Sequence, residues 1–215
     1  MNYFAHGRNF VDDPYFLAGT AVPDWLSVVD RKIKARSKHA RALVDDADPL
    51  LSAVARGVVQ HHADDDWFHR SRAFTELSLD MTVVVRDALA GETGMRPHFL
   101  GHILVELLLD AALIEEAPQR LDAYYAAIES LDPRQTSDVI NRLTTRPSGD
   151  LSAWIVRFSA ERFLYDYTED AKLLIRLNQV MRRVRLPQLP DTLAEQFPEA
   201  RRRVKARRDE LLTPT

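Results

Sequence analysis

The chain has 215 residues, of which 46% are hydrophobic and 28% are charged, and its formal net charge is −3. These proportions are ordinary for a globular protein, and the length allows one large domain with a substantial core. Cysteine is absent, which excludes disulfides and zinc–thiolate sites, so nitrogen and oxygen would hold any metal ion. Residues 1–6 lack the basic and apolar regions of a secretory signal. We therefore expect a cytoplasmic protein.

Helical periodicity predicts the secondary structure along the chain. Asp48-Pro49 has the cap and first-turn proline of a helix start, and the predicted helix runs through His61. Phe74–Ala90 keeps helical spacing despite its β-branched run. Arg96-Pro97 and Asp132-Pro133 open two more helices, and residues 147–150 form a break.

Beyond this break, the sequence predicts helices after Gly149, over Glu169–Arg185 and over Asp191–Leu211. The pattern as a whole predicts an all-α protein of about eight to ten helices. We expect a single domain over residues 1–215, with metal-site helices in 1–146 and a helical part, 147–215, packed on them. The longest apolar stretch contains His102, Glu106 and Asp110, and we expect it to be too polar for a membrane span.

The histidines lie unevenly, since all seven occur within the first 102 residues. Three of them precede a carboxylate by four positions, in the pairs His61/Asp65, His62/Asp66 and His102/Glu106. On a helix this spacing places both side chains on one face. About one such pair is expected by chance, given 32 acidic residues in the chain. Imidazole and carboxylate together are ligands for a divalent cation, so the pairs predict a metal site.

Other interpretations of these polar residues stay open at this point. Glu106 and Asp110 lie in a leucine-rich helix, where a buried carboxylate needs a metal ion, an arginine or a histidine as partner. An ion-pair network that fastens helices together is the alternative. His6 and Asp24 stand in apolar context, where a hydrogen-bonded core histidine and a helix opening are the simpler interpretations.

Taken together, these motifs resemble the acyl carrier protein phosphodiesterase family over roughly residues 1–115. The chain has Met-Asn-aromatic-x-Ala-His at its start, an aspartate eighteen residues later, then Gly-x-x-x-His-x-x-x-Asp-x-aromatic, then a helix with two acids four apart. The matching positions are His6, Asp24, Gly57, His61, Asp65, Trp67, Glu106 and Asp110, with glutamate at the first position of the acidic pair.

The resemblance implies an all-α layout like that of the HD-domain phosphohydrolases and a metal-dependent hydrolase of a phosphate ester. The predicted metal ligands are His6, Asp24, His61, Asp65, His102 and Glu106. These residues would hold one or two divalent cations, which could be manganese, iron, zinc or magnesium. His62 or the spare carboxylate of Asp66 would accept a proton. Basic side chains near these residues would grip the phosphate, and the nearest in sequence are Arg8, Arg70, Arg72 and Arg96.

Two alternatives compete with this hypothesis. His-x-x-x-Asp followed by His-x-x-x-Glu is similar to zinc-dependent phospholipase C, which implies a zinc hydrolase. A non-enzymatic scaffold would instead bind an acidic partner through Arg182–Arg185 and Arg201–Arg208. The same two clusters would receive an acidic carrier protein if the enzyme acts on one. Neighbouring acids could equally neutralise them, and neither nucleic acid nor a membrane is expected as a partner.

Overall fold

The computed structural model describes residues 1–214, and it confirms the all-α class: 74% of the chain is helical. Within those residues there is no strand, only an isolated bridge between Ala35 and Thr144. Nine α-helices have nine or more residues, in line with the eight to ten predicted. The α-helices are α1 (Tyr3–Gly7), α2 (Pro14–Val29), α3 (Ser37–Arg41), α4 (Pro49–Arg70), α5 (Arg72–Ala88), α6 (Pro97–Glu116), α7 (Pro118–Glu129), α8 (Pro133–Asn141), α9 (Leu151–Glu161), α10 (Asp170–Val184), α11 (Phe197–Ala206) and α12 (Arg208–Leu211). Two 3₁₀ helices span Phe163–Thr168 and Asp191–Gln196.

The predicted helix starts are confirmed where an aspartate precedes a proline. Helices α4 and α8 begin at Pro49 and Pro133, and α6 begins at Pro97 after Arg96. The Asp132 carboxylate accepts a hydrogen bond from the backbone N–H of Gln135 at 2.7 Å, which satisfies one of the free donors of the first turn of α8.

The predicted last helix, Asp191–Leu211, is wrong in one respect, because the chain breaks it into three pieces. A 3₁₀ helix ends at Gln196, α11 begins at Phe197 with Pro198 in its first turn, and Arg207 interrupts the α-helix with φ −114° and ψ 15°. Proline suits a helix start but lacks the N–H that a continuing helix needs. Four helices that the sequence analysis did not predict complete the set, namely α1, α2, α3 and α7.

The chain divides into two compact units, each made of segments that are distant in sequence. Unit 1 comprises Met1–Asn2, Trp67–Glu116 and the C-terminal segment from Phe163 onward. Unit 2 comprises Tyr3–Asp66 and Ala117–Arg162. The boundary predicted near Pro147 therefore falls inside unit 2, and α4 contributes residues to both units.

Unit 2 is organised around a direct backbone contact between α2 and α4. A Cβ atom added to Gly57 would lie 2.1 Å from the carbonyl oxygen of Phe16, and one added to Gly19 would lie 2.3 Å from that of Val54. Only glycine allows two helix backbones to approach so closely. The crossing sets the position of α4 residues one turn beyond Gly57.

In unit 1, α6 packs closely along α5. A Cβ atom on Gly101 would lie 2.6 Å from the backbone nitrogen of Thr82. Most of α6 is buried, including Asp110, whose Oδ2 accepts a hydrogen bond from the Asn2 amide at 2.9 Å. Asp110 thus has the partner that its leucine-rich context requires.

Helix α6 also meets the length and composition of a membrane span. An 18-residue window of this helix has a mean hydropathy of 1.5, and 67% of the window is buried within the protein. The sequence analysis expected His102, Glu106 and Asp110 to make this helix too polar for a membrane span, and by composition they do not. The core helix of a soluble protein passes the same test, so this feature is only a weak indication of a membrane.

We expect Gly57→Ala to lower the free energy of unfolding by about 1–3 kcal/mol, because the methyl group would force the two backbones apart. Chemical denaturation measures this change. Gly149→Ala is the matched control, since a Cβ atom there meets nothing within 4 Å. Equal stability of the two variants would contradict a tight crossing.

Candidate metal centre

Three of the predicted ligands meet in unit 2. His6 comes from α1, and His61 and Asp65 lie one turn apart on α4. His6 Nε2 is 3.3 Å from Asp65 Oδ1, and His61 Nε2 is 3.3 Å from Asp65 Oδ2. One ligand atom from each residue lies within 4.8 Å of the others. Ligands around one tetrahedral zinc ion are separated by about 3.3 Å, so the spacing suits a single cation.

Hydrogen bonds to the opposite ring nitrogens fix the orientation of both imidazoles. His61 Nδ1 donates to the backbone oxygen of Thr20 at 2.8 Å. His6 Nδ1 donates to Asp64 Oδ2 at 3.2 Å, and the other Asp64 oxygen accepts from the Gln60 amide. A carbonyl and a carboxylate can only accept, so both Nδ1 atoms carry hydrogen. In the neutral rings the lone pair is therefore on Nε2, as in most metal-bound histidines.

Both Nε2 atoms face the same carboxylate in a nearly dry environment. The side chains of His6 and His61 are 0% and 4% exposed, and the rings stack with centroids 4.1 Å apart. His6 Nε2 is buried and has no hydrogen bond. If both rings carried a proton on Nε2, two positive charges about 4 Å apart would repel by about 4 kcal/mol at an effective dielectric constant of about 20. If either ring lacked that proton, its lone pair would oppose a carboxylate oxygen.

The pKa values of His6 and Asp65 also favour a positive charge between them. Burial lowers the pKa of His6, but the carboxylates of Asp64 and Asp65 outweigh burial and raise it to about 9. Burial raises the pKa of Asp65, and its contacts with His6 and His61 reverse this and hold it far below its usual range. Without a metal ion, His6 therefore keeps a proton on Nε2. A divalent cation in that position would satisfy both imidazoles and Asp65 together.

Three other predicted residues lie outside this group. Asp24 is half-buried on α2, and no oxygen of it belongs to the three-residue group. His62 donates from Nε2 to the backbone oxygen of Ala35 at 2.8 Å, so its Nδ1 is the nitrogen able to accept a proton. Asp66 is exposed near the end of α4.

His102 and Glu106 form a second group in unit 1, together with His69, which was not predicted as a ligand. His69 Nε2 is 2.9 Å from Glu106 Oε1, and His102 Nε2 is 3.4 Å from the same oxygen. One ligand atom of each lies within 4.8 Å of the others. Among residues 1–214, these are the two groups of three or more such side chains.

The sequence analysis missed the two partners that orient the imidazoles. Thr20 acts through its backbone oxygen, which no sequence pattern could reveal. Asp64 stands in the acidic run 64–66, and its spacing of four from Gln60 was a signal for a shared helix face. His69 lay in the same segment, without a carboxylate four positions later.

No family model, curated protein or solved structure matches this chain.

The basic segments differ in how far their charges are already paired. Arg201 is 16% exposed, and it donates to Asp170 at 2.8 Å and to the backbone oxygen of Tyr167 at 2.7 Å. Further pairs are Arg203–Glu199, Lys205–Glu115, Arg207–Glu76, Arg207–Glu210 and Arg208–Glu116. The Arg201–Arg208 segment is thus largely neutralised within unit 1. Over residues 1–214, Arg182 and Arg185 have no ion-pair partner, and both line a cleft of about 1100 Å³ with Ile175 and Leu186.

The geometry predicts that Asp64 supports metal binding without being a ligand. We expect Asp64→Asn to weaken Mn²⁺ or Zn²⁺ affinity about 10–100-fold while the fold is kept, because it removes the charged acceptor that orients His6. Isothermal titration calorimetry on chelator-treated protein measures this. Asp12→Asn, an exposed carboxylate in the same unit, is the control. Unchanged affinity in Asp64→Asn would show that His6 is not oriented by this contact.

Proposed function

We propose that this protein is a metal-dependent hydrolase of a phosphate ester, with His6, His61 and Asp65 as its metal centre. The observation that carries the proposal is the pair of buried Nε2 atoms that face one carboxylate. Each ring is turned toward Asp65 by an acceptor on its other nitrogen. This set of two imidazole nitrogens and one carboxylate suits manganese, iron, zinc or magnesium.

A divalent cation held there would lower the pKa of a bound water molecule and polarise a phosphoryl oxygen. The chain would supply the remaining functions. Asp64 and the Thr20 carbonyl would keep both imidazoles in the tautomer that presents Nε2. His62, whose ring lies edge-on to His61 with centroids 5.4 Å apart, would accept a proton at Nδ1. Arg8, which donates to the Ala5 oxygen one helical turn back, is the basic side chain nearest His6 in sequence.

A phosphodiesterase similar to acyl carrier protein phosphodiesterase is the activity we favour. In its support, His6, His61 and Asp65, which carry that resemblance, are three of the side chains that meet. The HD-like layout, the cytoplasmic location and the carrier substrate belong to this proposal as well. The zinc phospholipase C alternative pairs His61/Asp65 with His102/Glu106, and these pairs lie in different groups.

Metal content and activity test the proposal together. We expect protein purified without chelator to contain a divalent metal ion and to cleave a generic phosphodiester such as bis(p-nitrophenyl) phosphate. His6→Gln and Asp65→Asn should lower metal occupancy and reduce kcat/KM by at least about 100-fold, because each removes a ligand. His39→Ala, an exposed histidine of the same unit, should match the wild type.

The scaffold alternative makes the opposite prediction for the same variants. If the polar cluster is only structural, His6→Gln and Asp65→Asn should mainly lower the melting temperature, because each leaves a buried partner unpaired. Metal-free protein that stays inactive after addition of Mn²⁺, Fe²⁺, Zn²⁺ and Mg²⁺ in turn would refute the enzymatic proposal.

An acidic carrier protein, if it is the substrate, would dock at Arg182 and Arg185. These guanidinium groups lack ion-pair partners among the described residues and flank an apolar cleft beside Ile175, whose exposure is 56%. Arg201, by contrast, is committed to Asp170. Charge complementarity of this kind speeds association and is screened by salt.

We therefore expect Arg182→Glu/Arg185→Glu to lower kcat/KM on a carrier-linked substrate about tenfold or more at low salt, with little effect at 1 M salt. Cleavage of the small phosphodiester should not change. Arg36→Glu/Arg134→Glu reverses two exposed charges of unit 2 and serves as the charge-matched control. A loss of the same size in the control would mean that net charge, rather than this cleft, matters.

A further inference from the structure

His69, His102 and Glu106 form a second convergent set of metal-type ligands in unit 1. His69 comes from the last turn of α4, and His102 and Glu106 lie one turn apart on α6. Two imidazole nitrogens and one carboxylate oxygen are the ligand set of zinc sites that keep a fourth position open. Both nitrogen–oxygen separations, 2.9 and 3.4 Å, are near the value of about 3.3 Å expected around one tetrahedral ion.

Packing against aromatic side chains holds the two imidazoles in this arrangement. The ring of Phe74 lies edge-on to His69, with centroids 4.9 Å apart, and to His102, with centroids 4.8 Å apart. Phe68 also lies against His69, with centroids 5.4 Å apart, and it packs on Phe74 with centroids 4.7 Å apart. The rings of His69 and His102 are 4.9 Å apart and inclined by 35°. The two Nε2 atoms meet at Glu106 Oε1, and aromatic packing supports both rings in that position.

Three nitrogen atoms lie close to Glu106 Oε1, which is more than its two lone pairs can accept hydrogen bonds from. Besides His69 and His102, the amino group of Met1 lies 3.2 Å from Glu106 Oε1. One carboxylate oxygen offers two lone pairs in the plane of the group. Three nitrogens within 3.4 Å of that oxygen thus exceed an ordinary hydrogen-bond pattern. A cation bound by Oε1 and both Nε2 atoms accounts for the convergence.

Glu106 is the most buried member of this group, and the two histidines are the most exposed. The Glu106 side chain is 12% exposed, whereas those of His69 and His102 are 33% and 36% exposed. The imidazole side of the set therefore faces solvent, where an ion and a water molecule can arrive.

We propose that His69, His102 and Glu106 bind a second divalent transition-metal ion, of the zinc class, with one coordination position open to solvent. This site shares no residue with the centre formed by His6, His61 and Asp65. Its existence therefore does not depend on the proposed hydrolase function.

Metal stoichiometry of the full chain tests the proposal without relying on activity. Chelator-treated protein would be titrated with Zn²⁺ by calorimetry, and Co²⁺ spectra would report the coordination geometry. We expect two ions per wild-type chain and one in His69→Ala/His102→Ala. The single ion retained by His6→Gln/Asp65→Asn should give the intense visible bands of four-coordinate Co²⁺.

Controls separate loss of ligands from loss of fold. His98→Ala removes an exposed histidine four residues before His102 on the same helix and should bind two ions. His69→Gln/His102→Gln keeps polar side chains in place and should also lose one ion, with a circular dichroism spectrum like that of the wild type.

The two metal centres fail in distinguishable ways. If His69→Gln/His102→Gln binds as many ions as the wild type with the same affinity, the second site does not exist, and the cluster is a hydrogen-bonded network around Glu106. If instead His6→Gln/Asp65→Asn matches the wild type, while His69→Gln/His102→Gln loses its only ion, the second site stands and the first centre falls.

Discussion

The contact between the backbones of α2 and α4 at Gly19 and Gly57 is the constraint on which the candidate centre depends. It allows the two helices to approach without intervening side chains. One turn beyond Gly57, His61 then reaches the carbonyl of Thr20, the residue next to Gly19. A larger residue at either glycine would separate the helices by more than a hydrogen bond tolerates. The tautomer of His61 is thus decided by backbone packing.

Helix geometry gives the three aspartates at residues 64–66 different surroundings. Successive helical residues point about 100° apart, so Asp64, Asp65 and Asp66 cannot share one environment. Asp65 faces both imidazoles, Asp64 holds His6 from the other ring nitrogen, and Asp66 is exposed. Two carboxylates against two buried imidazoles need positive charge beside them, which either a proton on His6 or a bound cation can supply.

The two histidine groups differ in their degree of preorganisation. In unit 2 both ring nitrogens of His6 and His61 have assigned roles, and the two imidazoles are almost unexposed, whereas Asp65 is 30% exposed. In unit 1, aromatic packing gathers His69 and His102, and about a third of each side chain remains exposed. Imidazoles fixed at both ring nitrogens suit tighter binding, whereas the more exposed imidazoles suit an exchangeable ion.

Helix periodicity and capping are local properties, so the all-α class, the helix starts after Asp48 and Asp132, and the pairing of His61 with Asp65 could be predicted from the residue pattern alone. The folded arrangement was needed to show that His6 joins that pair, that Asp64 orients His6, and that His102 and Glu106 meet His69. These groupings join residues 33 to 59 positions apart in sequence. Periodicity states which face of a helix is polar, but not which helix lies opposite. Close approaches such as that of Gly19 to Gly57 decide which helix lies opposite.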